Sequence, residues 1–271
     1  MAVADWQCQV LTSARVDLDR TARPIDLLHD ELHRQLEGLG VERLEELVVG
    51  VIGSVDPYGT PRLNQTIPEL SQPGYFTPLG GLAEHFRLEN DAALAAAAEY
   101  AHHTAPLPSL MVALLIDASV GSGLVIDGRV LRGEAGYSGE VSYLPGSGWS
   151  TAHLILLEAA TDHDVTVREL FEHAGHGEHA HEWARTAVTR FARAIAPGVI
   201  ALVATLDPEV IVVGGDGSAA GGLICQILRD EVAECCPHVP RFQVSELGRT
   251  SIIQGALAMA RANLGTDPQG H

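Results

Sequence analysis

Short apolar runs alternate with longer helical patterns along this chain, which predicts an α/β fold. Three observations carry that reading. Leu110–Ile116 and Val210–Val213 are unbroken apolar runs of strand length, as in a sheet covered on both faces. The second of them passes straight into Gly214-Gly215-Asp216-Gly217 and then a helical pattern. Glu182–Leu206 keeps helical spacing over a length that no strand reaches.

Taken in order, Val3–Val16 carries β-favouring residues and reads as a strand, and Leu27, Leu28, Leu32 and Leu36 recur at helical spacing. Leu47–Ile52 is a short apolar strand that ends in the turn-forming run GSVDPYGTP. A helix is expected around Leu79–Phe86, then a short segment Arg87–Asp91, then a close-packed alanine-rich helix from Ala92 to His102. The proline-marked joint TAPLP, residues 104–108, is the expected lobe boundary. Beyond it come the strand Leu110–Ile116, a glycine turn VGSG, and a strand with a hairpin signal, LVIDGRVL. Helices at Val165–Phe171 and Glu182–Leu206 precede the strand Val210–Val213. A helix at Leu223–Cys235, a strand at Phe242–Val244 and a final helix from Ile252 close the chain.

Composition narrows the function. The 271 residues are 46% hydrophobic and 19% charged, enough to bury a sizeable core. Asp and Glu number 35 against 17 basic residues, all of them Arg, giving a net charge of −18. Without lysine there is no P-loop lysine, no pyridoxal Schiff base and no lysine nucleophile. The acidic balance opposes direct nucleic-acid binding by this chain, because such affinity comes largely from neutralising phosphates. Cysteines at 8, 225, 235 and 236 form no CxxC pair, and Cys235-Cys236 reads as a helix end. No signal-peptide pattern and no run of about 20 unbroken apolar residues is seen, so no membrane contact and a cytoplasmic location are expected.

Several motifs carry chemistry, each beside a plainer reading. Asn90-Asp91 stands at a turn before the alanine-rich helix, where Asp91 could take a proton from a substrate hydroxyl or could cap the helix. Gly121-Ser122-Gly123 suits a backbone passing close to a phosphate or sugar, and suits a plain glycine hairpin equally. Gly214-Gly215 ends a buried strand, where open α/β sheets place ligands, or is a tight turn. Imidazoles at His173, His176, His179 and His181 could bind a metal, although the stretch reads as a solvated loop and no metal site is assigned.

Together these pieces resemble the ROK family of bacterial sugar kinases and sugar-responsive repressors. The matching blocks are GSVDPYGTPRLN (53–64), ENDAALAAAAEY (89–100), IDASVGSGLVIDGRVLRGEAGYSGEVSY (116–143), LDPEVIVVGG (206–215) and SELGRTSIIQGALAMA (245–260). The resemblance implies the two-lobed, ribonuclease-H-like actin/hexokinase fold with a sugar between the lobes. Residues 1–105, completed by the helix 252–271, would form the N-terminal lobe, and 106–251 the C-terminal one. It further implies sugar contacts from Asn64, Asn90, Asp91, Glu140, Tyr143 and Glu158, with Asp91 as catalytic base if the chain is a kinase. Gly121 and Gly123 would face phosphate, and Gly214 and Gly215 the nucleotide.

Departures from the family pattern shape the expected function. Tyr143 stands where the block GExGH has its histidine, and PGSGWSTAHLILL replaces the cysteine-rich CxCGxxGC, so structural zinc is expected to be absent. The first strand with its DxGxT phosphate turn has no counterpart, nor has the helix-turn-helix of the repressors. The expectation is a regulator-type, sugar-binding homodimeric domain without kinase activity and without a cofactor. The alternative is an ATP- and Mg-dependent, glucokinase-like sugar kinase with Asp91 as base, and a bare oligomerisation module is a third reading.

Overall fold

A computed structural model describes residues 1–16, 23–62, 67–104, 106–117, 119–175 and 180–264. It is an α/β fold, as the alternation predicts. Strands β1 (Ala2–Ala4) and β2 (Val10–Ser13) form an antiparallel pair. Helix α1 (Pro24–Leu39) leads to β3 (Leu44–Val51), short helix α2 (Thr77–Gly80), β4 (Ala83–Asn90) and α3 (Asp91–His102). Strands β3 and β4 run parallel, from Leu44 opposite Ala83 to Val51 opposite Asn90. Then follow β5 (Leu110–Ile116), β6 (Val120–Ile126), β7 (Arg129–Val130), α4 (Trp149–Asp162), α5 (Val167–Gly175), α6 (Glu182–Leu206) and β8 (Val210–Gly214). The chain ends in α7 (Gly221–Cys235), β9 (Arg241–Val244) and α8 (Ser251–Leu264). The large sheet has the order β7-β6-β5-β8-β9, antiparallel across β7, β6 and β5 and parallel across β5, β8 and β9.

Four local expectations are corrected. Val3–Val16 is not one strand but a hairpin, turned by Asp5, whose Oδ1 accepts hydrogen bonds from the amides of Gln7 and Gln9. The helix expected at Leu79–Phe86 stops at Gly80, and Ala83–Asn90 is a strand. Pairing with β3 overrides helical spacing there, because Arg43 and Arg87 tie the two strands through Glu84 and Glu46. A helix that the sequence reading leaves out, α4, buries Trp149, Ala152, Leu156 and Ala160, and the Trp149 indole donates to the Ile195 carbonyl of α6 at 2.9 Å. The glycine turn at Gly121–Gly123 is strand, since β6 runs unbroken from Val120.

That last correction explains the alanine run. A Cβ on Gly123 would stand 2.2 Å from the Ala92 carbonyl oxygen and 2.5 Å from the Ala96 methyl. One on Gly255 of α8 would stand 2.0 Å from the Leu94 carbonyl oxygen. Helix α3 is therefore clasped between β6 and α8 at backbone-to-backbone distance, which only Gly and Ala permit. A large core forms between the five-stranded sheet and α4 to α7, centred on Phe171, Phe191, Ile195 and Ile211. A smaller one gathers Ile25, Leu32, Leu36, Val51 and Leu88 under α1. Among the described residues α6 is the one helix long and apolar enough to cross a membrane, and its Val188, Phe191, Ile195 and Val199 face the large core.

Candidate functional site

Parallel strands β3 and β4 end together, and the chain leaves each of them at the same edge. Ligand sites of open α/β sheets lie at such carboxyl ends. Asn90 closes β4 and caps α3: its Oδ1 accepts from the Ala93 amide at 2.8 Å, while its Nδ2 donates to the Gly53 carbonyl at 3.0 Å. The cap is thus Asn90, not Asp91, and Asn90 also pins the turn after β3. Asp91, one residue on, accepts from the Ala92 amide at 2.8 Å and remains partly open to solvent. Burial pushes its carboxyl up to about 7, and the negative charges of Asp117 and Glu140 add to the effect. Those three carboxylates are the electrostatic centre of the site.

Glu140 reaches it on the loop 132–140, where Gly133, Gly136 and Gly139 all have positive φ. A Cβ on Gly136 would lie 2.1 Å from the Val55 carbonyl oxygen, and one on Gly139 would lie 2.4 Å from that of Ser122. The loop is therefore wedged between the turn after β3 and the strand β6, which holds Glu140 beside Asp91. Arg132 anchors its start by donating to buried Glu89 through Nε at 2.7 Å and Nη2 at 2.5 Å. Glu89 in turn accepts from the Asn90 amide at 3.0 Å. Burial raises the Glu140 carboxyl. Burial also raises the Tyr143 hydroxyl, helped by Glu140 and Tyr137, whose ring meets that of Tyr143 edge to face at 5.7 Å. Two half-exposed tyrosines so border the carboxylates.

On the opposite side, the β8 turn meets the end of β5. Gly215 has φ +73°, and a Cβ there would lie 2.6 Å from Asp117 Oδ1. The Asp216 amide donates to that same oxygen at 2.6 Å, and Arg249 pairs with the Asp216 carboxylate at 2.8 Å. Burial and the Asp216 charge raise the Asp117 carboxyl, against the pull of the Asp216 amide and Arg249. Beside Glu89 and Arg132 a cavity of about 620 Å³ opens, walled also by Asp56 and Tyr58, next to Asp91 but not reaching it.

Of the expected site residues, Asn90, Asp91 and Glu140 are brought together and Tyr143 stands at their border. Gly214 and Gly215 sit across the β8 turn from Asp117. Gly121 and Gly123 are strand positions and not a turn: a Cβ on Gly121 would meet Ala92, and one on Gly123 would meet Ala92 and Ala96, because α3 packs directly on them. Glu158 lies on the exposed side of α4, two residues round from buried Leu156, and no hydrogen bond or ion pair joins it to Asp91 or Glu140. Asn64, His176 and His179 lie outside the described residues. His173 and His181 gather with Trp183 in an aromatic cluster, the His rings 4.7 Å apart. Among the described residues no three His, Cys, Asp or Glu side chains form a metal-binding group. The sequence reading passes over Asp117, Glu89 and Arg132. Asp117 carried a usable signal, since it follows directly on the buried run of β5.

The mixed sheet and the parallel β3–β4 pair place the chain in an actin/hexokinase-like fold. The chain matches the ROK family over residues 1–145 and 148–263, and it belongs to that family. It is 30% identical over 236 residues to the bifunctional enzyme NanE/NanK of Brucella melitensis, covering 80% of this chain and 44% of that one. It is 28% identical over 191 residues to the N-acetylmannosamine kinase of Salmonella paratyphi B, covering 64% of each. The chain thus spans less than two thirds of the length of these curated relatives. Among solved structures, the glucose- and AMPPNP-bound ROK glucokinase of Streptomyces griseus superposes with TM-score 0.74 at 20% identity, over 96% of this chain and 95% of that one. A ROK transcriptional regulator, a homologue of E. coli MLC, superposes with TM-score 0.67 at 16% identity, over 97% and 77%.

Proposed function

We propose that the chain binds a hexose or an N-acyl amino sugar beside Asp91, and that Asp91 is the general base for phosphoryl transfer to a hydroxyl of that sugar. The observation that carries this reading is the Asp91 carboxyl, raised to about 7 at the strand ends with Glu140 and Asp117 beside it. A base poised near neutral pH both accepts a hydroxyl proton and holds a useful fraction of charge. In the transfer, the sugar oxygen bonds to the γ-phosphorus of a nucleoside triphosphate as the bond to the diphosphate breaks. The hydroxyl proton passes to Asp91. Glu140 and the Tyr137–Tyr143 pair frame the sugar, the tyrosines offering ring faces and hydroxyls. The kinase names among the curated relatives favour this over the regulator reading expected from the sequence.

One observation favours the second reading, sugar binding without transfer. The Asp216 amide, where a phosphate oxygen would be received at the β8 turn, is already taken by Asp117. The reading also keeps four expectations. The chain works as a homodimer in the cytoplasm, needs no zinc and makes no nucleic-acid contact. Tyr143 and the cysteine-free stretch 144–158 support the absence of zinc, and the charge of −18 supports the last.

The test couples ADP release to a panel of hexoses and N-acetylhexosamines, with thermal shift by the same sugars in parallel. Turnover that disappears in Asp91→Asn, with the sugar shift kept, is the expected result. A shift without turnover selects the second reading, and no shift with any sugar overturns both, because a ligand of the folded state must stabilise it.

A further inference from the structure

Three histidines surround Trp183 where α5 ends and α6 begins, and they meet in different ways. His163, just past the end of α4, stacks on the indole with ring centres 3.8 Å apart and planes 13° apart. His173 and His181 do not stack: their ring centres are 4.7 Å apart and their planes are inclined at 41°. The loop between these two is closed at its base, where the His181 amide donates to the His173 carbonyl at 2.9 Å. That bond fixes both backbones and sets the two imidazoles side by side.

The fold leaves the pair without other work. His181 stands at the N-cap of α6, yet its side chain makes no capping hydrogen bond. His173 Nδ1 is buried and has no hydrogen-bond partner among the described residues. A buried ring nitrogen left unbonded is costly whichever tautomer is present. The rings that meet His173 are those of His181 and Trp183, and an indole has no lone pair to offer a ligand or a donor.

Distance then selects the chemistry. Two imidazoles bound to one ion at about 2.0–2.1 Å have centres about 4.5 Å apart at a right angle and about 5.2 Å apart at the tetrahedral angle. The observed 4.7 Å lies nearer the right angle. Neighbouring ligands at a right angle belong to tetragonal Ni²⁺ and Cu²⁺ sites, whereas zinc sites are tetrahedral. An anion stands nearby on α5. Hydrogen bonds from Thr166 hold the Glu169 carboxyl low, and the charges of Arg168 and His173 add to the effect.

We propose that His173 and His181 hold one divalent ion of the Ni²⁺ or Cu²⁺ class, each through one imidazole nitrogen, with water at the remaining positions. The ion clips the last turn of α5 to the first residue of α6. Two protein ligands make it an exchangeable site, in keeping with the absence of any three-residue metal group among the described residues. His176 and His179 lie outside the described residues and are not needed as ligands. The site is independent of the sugar-binding reading.

The probe is NiCl₂, titrated by calorimetry into the metal-stripped full chain. A second ring pair, His29 and His33 on α1, has centres 6.0 Å apart, so the titration is run in a His29→Gln background. One saturable site is expected, weakened at least tenfold by His173→Gln and by His181→Gln, with a metal-induced rise in melting temperature that both variants lose. His163→Gln removes the stacked ring but no ligand, and should bind as the background does. His181 is exposed, so its variant carries the test even if a change at His173 unsettles α5. No saturable binding, binding kept in His181→Gln, or an equal loss in His163→Gln would each overturn the proposal. So would binding that depends on His176 and His179 alone.

Discussion

The carboxylate of Asp117 accepts the backbone amide hydrogen of Asp216 at 2.6 Å, joining the end of β5 to the turn after β8. An anion of the chain itself thus occupies a donor that faces the site. Arg249 compensates from the far side by pairing with the Asp216 carboxylate. Freed of Asp117, that corner would combine an exposed amide with a nearby guanidinium, a favourable setting for a phosphate oxygen.

Asp117→Ala should therefore tighten nucleotide binding. Titration of a fluorescent ATP analogue should show an affinity gain of about tenfold, the worth of one charge-assisted hydrogen bond. Unchanged or weaker binding would mean that the corner is structural.

The raised Asp91 carboxyl makes a signed prediction about pH. Its folded value is about 7, above the ordinary carboxylate range, so the folded state holds the proton more tightly than the unfolded chain. The neutral form stabilises the fold at low pH, and that contribution is lost as pH rises through about 7. Asp91→Asn should abolish this dependence and gain on the order of 2 kcal/mol at pH 8 by urea denaturation. Any sugar phosphorylation by the unmodified chain should run the other way, climbing with pH to a plateau above about 7 as the base ionises.

Gly123→Ala should be strongly destabilising. Its methyl would lie 2.2 Å from the Ala92 carbonyl oxygen, a backbone atom that cannot swing aside. A loss of about 2–3 kcal/mol in denaturant midpoints is expected from overpacking. Gly222→Ala, where nothing lies within 4 Å, is the control and should be close to neutral.

Arg132→Ala should cost more than a surface ion pair. It strands the Glu89 carboxylate, whose side chain is only 5% exposed, without its cation. The expected loss is about 3 kcal/mol in calorimetry. Sugar-induced thermal shifts should shrink with it, because the loop that presents Glu140 starts at this anchor. A variant with both Glu89→Gln and Arg132→Met should recover much of the stability but not the sugar response.

What could be read along the chain was whatever a local pattern decides. Apolar runs such as Leu110–Ile116 and Val210–Val213 had to be strands, since burial on both faces demands unbroken hydrophobicity. The Asn90-Asp91 pair at the head of α3 was equally visible, because caps and turns have a local chemistry. Family membership followed from blocks in their order.

Elsewhere the decision lay between segments far apart in sequence. Leu79–Phe86 has helical spacing, yet pairing with β3 made its second half strand. Gly121 and Gly123 look like a turn, and it is the approach of Ala92 and Ala96 that makes them strand. Asp117 and Asp216 are 99 residues apart, so no local pattern could announce their bond. The same holds for the cavity beside β1 and β3, which exists only because strands of two separate sheets line one space. Local pattern was enough for the strands buried on both faces, for the long helix Glu182–Leu206 and for the turn at Asn90-Asp91. Tertiary structure alone decided which carboxylates share a site and which edges stay unpaired, because burial, charge coupling and backbone pairing depend on distances that chain separation does not encode.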